Sequence, residues 1–447
     1  MKRIGVLLTV AALLPAGAFG QRLSTQQFVV IGEGIAAGMA DFALRQEYQK
    51  NSFPALMAQQ MNTNFPQPLF EAPGVGNAPG FPELPIKLPG TQQGSVRVPF
   101  PPPLFIFNLS VPGMKLSEAL TYRPQAPLVQ KDTHQTLMNL TLGYPALIVG
   151  ANKPLWSPVE YATLMRPTLI VVELGYSDVL EAAVTDSPTK LPDVATFRAN
   201  MDTLLTRLKG TFAEMVVLTI PDPTDTAFFT SVTNATNFVG TPPSELQKIF
   251  RLKANDQLTP SGLMLVGNLI LSGNVELITN PLFPGLASYF PGTVVSGTTV
   301  TAVRARVAAL NTEITNAAKA ANASVYDLNG LFSKVRQSGV TVGTQTLSAN
   351  YLGGFYSLDG YYPGSTAQAL IANDILTLLN TKYKKQFPLV NVATVASHDP
   401  AGLLRPALRA VPLPDSGTLA PAPDSTTADS TAAENTTSET TPEDPAQ

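Results

Sequence analysis

Residues 28–38 read Phe-Val-Val-Ile-Gly-Glu-Gly-Ile-Ala-Ala-Gly, and this stretch decides the fold of the chain. Its first four residues are an apolar run, which predicts a short buried strand. Gly32-Glu33-Gly34 follows as a sharp turn, and helix-permissive residues come next. A strand that passes through a tight turn into a helix is where α/β enzymes place a nucleophile or bind an anion. The nucleophile position would be Gly34, which has no side chain.

The bulk composition indicates a large globular chain. It has 447 residues, of which 44% are hydrophobic, so it can bury a sizeable core in one large domain or two ordinary ones. Only 14% of the residues are charged and the net charge is −3, which gives no indication of nucleic-acid binding. The chain has no cysteine, which excludes disulfides and thiol chemistry. We predict no metal and no cofactor.

The N-terminus predicts export. Lys2 and Arg3 precede an apolar run over residues 4–14, and small residues at 16–20 frame a cleavage site. This pattern is typical of a secretory signal peptide, here residues 1–20, although a buried N-terminal helix is the alternative. We therefore expect a secreted, periplasmic or cell-envelope protein. No later run is long enough for a transmembrane helix in the mature chain.

The rest of the chain alternates between predicted strands and helices, which indicates a parallel sheet covered on both faces. We place all of these elements in one domain over residues 21–390. Further strands are predicted at residues 104–108, 168–174, 215–220 and 324–328. Helices are predicted at residues 52–61, 116–120, 195–212, 302–321 and 366–379, with further helical pieces at 125–165.

Four segments depart from this alternation. Residues 65–103 hold eleven prolines, so we expect a long cap loop rather than a core element. Residues 223–300 are rich in Thr, Gly, Pro and Leu, and we expect an insertion packed on the domain. After a connector at 391–410, residues 411–447 are rich in Ser, Thr, Pro and Ala, which predicts a disordered tail. The tail is either a surface spacer or a segment without function.

Four turns, in chain order, carry a resemblance to a known family. They read Ile31-Gly-Glu-Gly-Ile35, Asn108-Leu-Ser-Val-Pro-Gly113, Leu174-Gly-Tyr-Ser-Asp178 and Ser357-Leu-Asp-Gly-Tyr-Tyr-Pro363. Together they resemble the four sequence blocks of the SGNH (GDSL) hydrolases, which are lipases and esterases. The resemblance covers roughly residues 26–382, and Ala369-Leu-Ile-Ala-Asn373 is similar to the helix after the last block.

The resemblance implies an α/β fold, a three-layer α/β/α sandwich similar to flavodoxin. It also implies a site with a Ser nucleophile, a Gly and an Asn in the oxyanion hole, and an Asp-x-x-His pair. This chain departs from that site at most positions. The Asp and Ser of the first block are Glu33 and Gly34, and the oxyanion Asn is Ser177. The oxyanion Gly is kept as Gly113, and the last block keeps Asp359 but has Tyr362 in place of His.

These replacements predict a fold without the family's hydrolysis. Gly34 offers no oxygen nucleophile, and a tyrosine such as Tyr362 has a pKa near 10, which makes it a poor base at neutral pH. No histidine lies within residues 340–390. The two histidines of the chain, His134 and His398, lie elsewhere and are expected to be ordinary surface or partly buried residues.

Part of the site can still bind. Backbone N–H groups of Gly34 and Gly113, together with the Ser177 hydroxyl, form a predicted oxyanion site. Tyr361 and Tyr362 either line a pocket for an acyl or carbohydrate ligand or pack beneath the proline-rich cap.

Three alternatives to a ligand-binding protein without hydrolase activity stay open at this point. In the first alternative, the chain is an active exported carboxylic-ester hydrolase that uses other residues. In the second, it is an enzyme in which Glu33 and Asp359 act as an acid/base pair on water. In the third, it is a cell-envelope scaffold whose tail is a spacer.

Overall fold

The computed structural model describes residues 23–72, 74–75, 105–143, 155–273 and 280–399. The predictions for the signal peptide, for most of the proline-rich cap and for the C-terminal tail lie outside these residues. The described strands are β1 (Phe28–Gly32), β2 (Met39–Ala40), β3 (Ala43–Leu44), β4 (Leu169–Glu173), β5 (Glu214–Leu218), β6 (Thr230–Ser231), β7 (Gln257–Leu258), β8 (Val294–Val295), β9 (Ser324–Tyr326), β10 (Val340–Val342) and β11 (Gln345–Leu347).

The main sheet is parallel and has the strand order β1-β4-β5-β9. Val30 in β1 pairs with Val171 in β4, and Val171 pairs with Val216 in β5. Every residue of β1 and β4 is buried, as expected for strands with helices on both faces. Burying one Val or Ile side chain contributes about 1.5–3 kcal/mol, so these runs are a major part of the core.

The strand predicted at residues 104–108 is reduced to a single bridge between Asn108 and Val30, on the free edge of β1. Phe107 explains the reduction, because its N–H donates to Pro66 O at 2.8 Å while its carbonyl accepts from Val30 N. The chain therefore bonds alternately to β1 and to the start of the proline-rich segment. Counting this bridge, the order along the sheet is 2-1-3-4-5, the order of flavodoxin-like folds.

Two groups of helices flank the sheet and give the predicted three-layer α/β fold. Phe53–Gln60 packs against Ser365–Tyr383 in one group, and Val194–Lys209 packs against Gly297–Ala321 in the other. The described α-helices outside residues 223–296 are Gly34–Ala37, Gln46–Gln49, Phe53–Gln60, Leu116–Thr121, Thr133–Leu142, Pro158–Leu164, Tyr176–Val184, Val194–Lys209, Gly297–Ala321, Leu328–Ser338, Ser365–Tyr383 and Val392–Ser397. Short 3₁₀ helices are described at Pro188–Lys190 and Pro223–Asp225.

The last predicted strand ends earlier than the sequence indicates. β9 stops at Tyr326 because Asp327 caps the helix Leu328–Ser338, its side chain accepting a hydrogen bond from Gly330 N. This helix and the β10/β11 hairpin after it were absent from the sequence prediction.

The region predicted as an insertion contains a small core of its own. β6, β7 and β8 form an antiparallel sheet. The helices around it are Val232–Val239, Pro243–Phe250, Pro260–Leu271 and Leu286–Tyr289. The buried apolar residues of this second core are Val232, Ala235, Leu246, Phe250, Leu252, Leu258, Val266, Phe283, Leu286 and Val294. Among the described helices, none is both long enough and apolar enough to cross a membrane.

Candidate functional site

Glu33 lies at the end of β1 and caps the short helix Gly34–Ala37. Its Oε1 accepts a hydrogen bond from Ile35 N at 3.0 Å, which satisfies one of the free amides at the helix start. Its Oε2 accepts hydrogen bonds from Ser177 Oγ at 2.6 Å and from Tyr362 OH at 3.1 Å. The side chain is fully buried. Glu33 therefore links β1, the helix after β4 and the turn that carries Tyr362.

The ring of Tyr362 lies against the Cα of Gly34. A Cβ atom added at Gly34 would lie 2.2 Å from Tyr362 Cζ and 2.3 Å from its hydroxyl oxygen. Such distances are far inside van der Waals contact, so no side chain fits at residue 34 while the tyrosine keeps this position. Gly34 and Tyr362 are thus sterically complementary.

Asp359 holds the turn that positions the two tyrosines. Its Oδ1 accepts hydrogen bonds from Tyr361 N at 3.0 Å and Tyr362 N at 2.8 Å. Its Oδ2 lies 3.4 Å from Phe42 N. Burial raises the pKa of Asp359 to about 7, although these amide hydrogen bonds oppose the shift.

Glu173, at the end of β4, binds the backbone at Glu33 and at the start of the helix Gly34–Ala37. Its Oε2 accepts hydrogen bonds from Glu33 N and Ala36 N, each at 3.1 Å. Burial, and then repulsion from the Glu33 carboxylate, raise the pKa of Glu173 well above its usual range. Burial also raises the pKa of Glu33, against the hydrogen bond from Ser177. The sequence analysis missed Glu173, although an acidic residue inside an otherwise apolar strand was a signal that could have identified it.

A second feature that the sequence reading missed is the hairpin of β2 and β3. Its two turn residues, Asp41 and Phe42, have φ values of +51° and +63°, as a tight two-residue hairpin requires. Asp41 Oδ1 accepts from Leu358 N at 2.7 Å, and Asp41 N donates to Ser357 Oγ at 3.1 Å. Tyr48 OH also donates to the Asp41 carboxylate. The hairpin therefore braces the loop that carries Asp359.

Tyr361 packs against both Tyr362 and Phe228. Its ring centroid lies 4.6 Å from that of Tyr362 and 6.0 Å from that of Phe228. Its carbonyl accepts from Tyr176 OH at 3.1 Å, and both Tyr361 and Tyr362 are fully buried. This burial agrees with the expectation that the two tyrosines pack in the interior rather than line an open pocket. Ligand binding by them stays a prediction.

The structure thus brings six predicted site residues together, namely Glu33, Gly34, Ser177, Asp359, Tyr361 and Tyr362. The seventh, Gly113, belongs to the neighbouring turn, which is tied to β1 by a hydrogen bond from Val111 N to Gly32 O at 3.1 Å. The Ser177 hydroxyl donates to Glu33, so in this arrangement it is not directed at an oxyanion. The oxyanion role of Gly34, Gly113 and Ser177 stays a prediction.

The two histidines have local partners. His134 Nε2 lies 3.1 Å from Glu118 Oε2, and His398 Nδ1 lies 2.9 Å from Thr394 O. Among the described residues, no group of three or more His, Asp and Glu side chains is arranged to hold a metal ion.

Three open clefts among the described residues are lined by residues other than Glu33 and its partners. One of about 420 Å³ is lined by polar residues including Asn311 and Asp327. Others of about 450 and 480 Å³ adjoin Phe212 and Leu378, respectively.

No protein-family model and no curated protein matches this chain. Similar solved structures include the psychrotrophic esterase EstA from Pseudoalteromonas sp., with 10% identity and a TM-score of 0.33 over 80% of this chain and 100% of that one. LAE5, an α/β hydrolase enzyme from the metagenome of Lake Arreo, Spain, has 11% identity and a TM-score of 0.33 over 79% and 94%. Phospholipase A1 from Streptomyces albidoflavus NA297 has 12% identity and a TM-score of 0.32 over 80% and 100%. At these scores the likeness carries no argument about family or activity.

The raised pKa of Asp359 predicts that stability falls as the pH rises. The usual pKa of an unfolded Asp is about 3.9, so between that value and the folded pKa of about 7 the folded state binds more protons than the unfolded state. The stabilisation is therefore full below pH 4 and is lost as the pH rises through about 7. We expect the free energy of unfolding to be lower at pH 7.5 than at pH 5, by about 2 kcal/mol from this group.

Urea titrations followed by circular dichroism at the two pH values measure this difference. Asp359→Asn is the matched variant, because its amide oxygen can still accept from Tyr361 N and Tyr362 N without titrating. The difference between the two pH values should shrink in this variant. An unchanged difference would assign the pH dependence to other buried carboxyls.

Proposed function

We propose that this chain is an exported SGNH-hydrolase-like protein that does not hydrolyse esters and acts as a non-catalytic module. The proposal is supported by the order of the four turns along the chain and by the main-sheet order. It is also supported by the convergence of Glu33, Ser177, Asp359 and Tyr362 in one buried cluster. Export rests on the signal-peptide pattern of residues 1–20, and N-terminal sequencing of the protein from the culture medium or cell envelope would test it.

The observation that carries the proposal is the fit between Gly34 and Tyr362. A nucleophilic serine needs a free volume beside its oxygen and a base within hydrogen-bonding distance. In this protein the Tyr362 ring lies where the Cβ of residue 34 would be, and its hydroxyl donates to Glu33. An acyl or carbohydrate ligand could bind beside Gly34 only if the Tyr362 ring left its position. Our proposal therefore includes no such ligand at this site.

We therefore expect purified mature protein to release no p-nitrophenol from acetate, butyrate or octanoate esters above the rate with heat-denatured protein. The physical reason is the absence of both an oxygen nucleophile at residue 34 and a base at residue 362. Spectrophotometric rates at pH 7.5 measure this, and a fluorophosphonate that reacts with activated serines should leave the mass of the protein unchanged.

One observation favours a second candidate, an ester hydrolase that uses Ser177. Ser177 Oγ lies 2.6 Å from Glu33 Oε2, a carboxylate whose pKa is raised by burial, and this is the geometry of a nucleophile and its general base. In such a reaction Ser177 Oγ attacks the ester carbonyl and Glu33 takes its proton. The alcohol then leaves with a proton from Glu33, and water releases the acid from the serine ester.

The same assays separate the two candidates. Ester turnover that is abolished by Ser177→Ala and by Glu33→Gln, with a phosphonate adduct on Ser177, would replace the non-catalytic proposal with this second one. Turnover that survives both substitutions would point to a contaminating enzyme or to another site.

A further inference from the structure

A cleft of about 450 Å³ lies at the edge of the main sheet where β4 and β5 begin. Its lining residues are Thr163, Arg166, Arg207, Gly210, Thr211 and Phe212. They belong to the ends of the helices Pro158–Leu164 and Val194–Lys209 and to the loops that lead into the two strands. Because the strands are parallel, this edge is opposite the one at which Glu33 follows β1. The cleft is therefore separate from the Glu33 cluster, and its volume is typical of a small-molecule site.

The cleft contains two arginines whose charges have no partner in the described part of the chain. Neither Arg166 nor Arg207 donates a side-chain hydrogen bond there or forms an ion pair. The carboxylates on the helices and on β5 around the cleft already have partners of their own. These are Glu160, Asp202 and Glu214, which pair with Arg123, Arg198 and Tyr383, respectively. Two cations that line one cleft without counterions favour an anionic ligand.

The nearby helix end does not occupy the Arg207 side chain. A cation close to a helix C-terminus often bonds to the last carbonyls of the helix. Here backbone amides already bond to these carbonyls: Gly210 N donates to Thr206 O at 3.3 Å, and Phe212 N donates to Lys209 O at 3.1 Å. Arg207 therefore has no role as a cap in this structure, and its guanidinium stays available to a ligand.

The other polar side chains of the cleft donate their protons locally. Thr163 Oγ1 donates to Glu160 O at 2.8 Å, and Thr211 Oγ1 donates to Leu208 O at 2.7 Å. The free side-chain donors of the cleft are therefore the guanidinium N–H groups, which have no acceptor function. A ligand that satisfies them must supply several acceptor oxygens, as a phosphate or a carboxylate does.

Phe212 adds an aromatic ring to the cleft under two unfavourable conditions. The residue is 96% exposed, so its ring gains almost nothing from packing within the chain. Its φ is +60°, a left-handed conformation that glycine or asparagine normally adopts and that strains a bulky residue. Arg166, on the same cleft, also has a positive φ of +48°. Strain that packing does not explain is a feature of functional sites, and the Phe212 ring offers a surface on which a ligand ring can stack.

We propose that this cleft binds a small phosphate monoester that carries an aromatic group. A phosphate monoester has a charge of about −1.5 to −2 at pH 7, which matches the two guanidinium groups of Arg166 and Arg207. Arginine binds phosphate oxygens through paired, parallel N–H bonds. The aromatic group of the ligand stacks on the Phe212 ring, which relieves its exposure to water. The proposal does not depend on the presence or absence of ester hydrolysis at Glu33.

Isothermal titration calorimetry of the full-length mature protein with phenyl phosphate tests the proposal. Inorganic phosphate and phenol are the comparison probes, because each has only one of the two chemical features. We expect phenyl phosphate to bind at least about tenfold more tightly than either probe, since it alone reaches both the arginines and the ring. Its affinity should fall as salt is added, because salt screens the charges of the exposed arginines.

Three variants and one control assign the binding to this cleft. Arg166→Gln and Arg207→Gln should each weaken the binding of phenyl phosphate at least about tenfold. Arg198→Gln is the matched control, because Arg198 lies on the same helix as Arg207 and is 60% exposed but does not line the cleft. Phe212→Gly should reduce the affinity for phenyl phosphate to that for inorganic phosphate. Because glycine relieves the backbone strain, its urea midpoint should be unchanged or higher.

Any one of three results would overturn the proposal. In the first, the wild-type protein binds phenyl phosphate no more tightly than inorganic phosphate. In the second, Arg166→Gln and Arg207→Gln bind phenyl phosphate as tightly as the Arg198→Gln control. In the third, Phe212→Gly keeps the wild-type affinity for phenyl phosphate but has a lower urea midpoint, in which case the ring serves the fold rather than a ligand.

Discussion

Gly34→Ala should lower the free energy of unfolding by about 3 kcal/mol, an unusually large effect for a single added methyl group. The new Cβ would lie 2.2 Å from Tyr362 Cζ, so the ring must move out of a fully buried position. Moving the ring also breaks the hydrogen bond from Tyr362 OH to Glu33, which leaves a buried carboxylate with one donor fewer. Urea titration of the purified variant measures the loss.

Two comparisons make this result specific to the Gly34–Tyr362 contact. Gly267→Ala is the matched control, because Gly267 is also helical but its added Cβ would meet only Val239 Cγ1 at 3.8 Å. This control should be neutral or slightly stabilising, since alanine favours the helix. In a Tyr362→Leu background, whose side chain lacks the ring atoms nearest residue 34, the Gly34→Ala loss should fall below about 1 kcal/mol. An equal loss in both backgrounds would mean that the tyrosine is not the obstacle.

Glu173→Ala should lower the free energy of unfolding by about 3 kcal/mol. The Glu173 carboxylate accepts hydrogen bonds from Glu33 N and Ala36 N. Alanine removes this acceptor from the buried Ala36 amide and leaves Glu33 N with only the backbone carbonyl of residue 173, at 3.2 Å. The truncation also opens a cavity at the end of β4, where every strand residue is buried. Chemical unfolding at pH 7.5 measures the change.

Glu173→Gln is the control that separates the hydrogen bonds from the charge. The amide oxygen of glutamine can accept from the same two N–H groups, and the residue carries no negative charge beside Glu33. Because repulsion from Glu33 contributes to the raised pKa of Glu173, the glutamine variant should be as stable as the wild type or more stable at pH 7.5. A large loss in the glutamine variant would contradict this account of the pair.

Together these variants distinguish a structural cluster from a catalytic one. If Glu33, Glu173 and Tyr362 only stabilise the fold, substituting them changes the free energy of unfolding. The wild-type protein then has no ester turnover to lose. In a working catalytic site the opposite is common, because substitution there removes activity and often raises stability.

The parts of the fold that depend on local pattern were predictable from the sequence. The apolar runs that became β1, β4 and β5 are continuous and bounded by turn residues, so their positions needed no knowledge of distant residues. The helix Gly297–Ala321 likewise follows from its regular apolar stripe. The strand predicted at residues 104–108 was wrong, because only a single bridge forms at Asn108. The neighbouring Phe107 N–H bonds to Pro66 O instead, and a sequence pattern does not reveal such a competing partner.

What the sequence alone determined is chemical: Gly34 has no side-chain oxygen, and residue 362 is a tyrosine rather than a histidine. Only the tertiary structure decided that these two differences fit each other, because the Tyr362 ring fills the space beside Gly34 across 328 residues of chain. The sequence also could not show that the Glu173 carboxylate accepts a hydrogen bond from Glu33 N. Each of these facts is a distance between residues far apart in the chain, and only packing sets such distances.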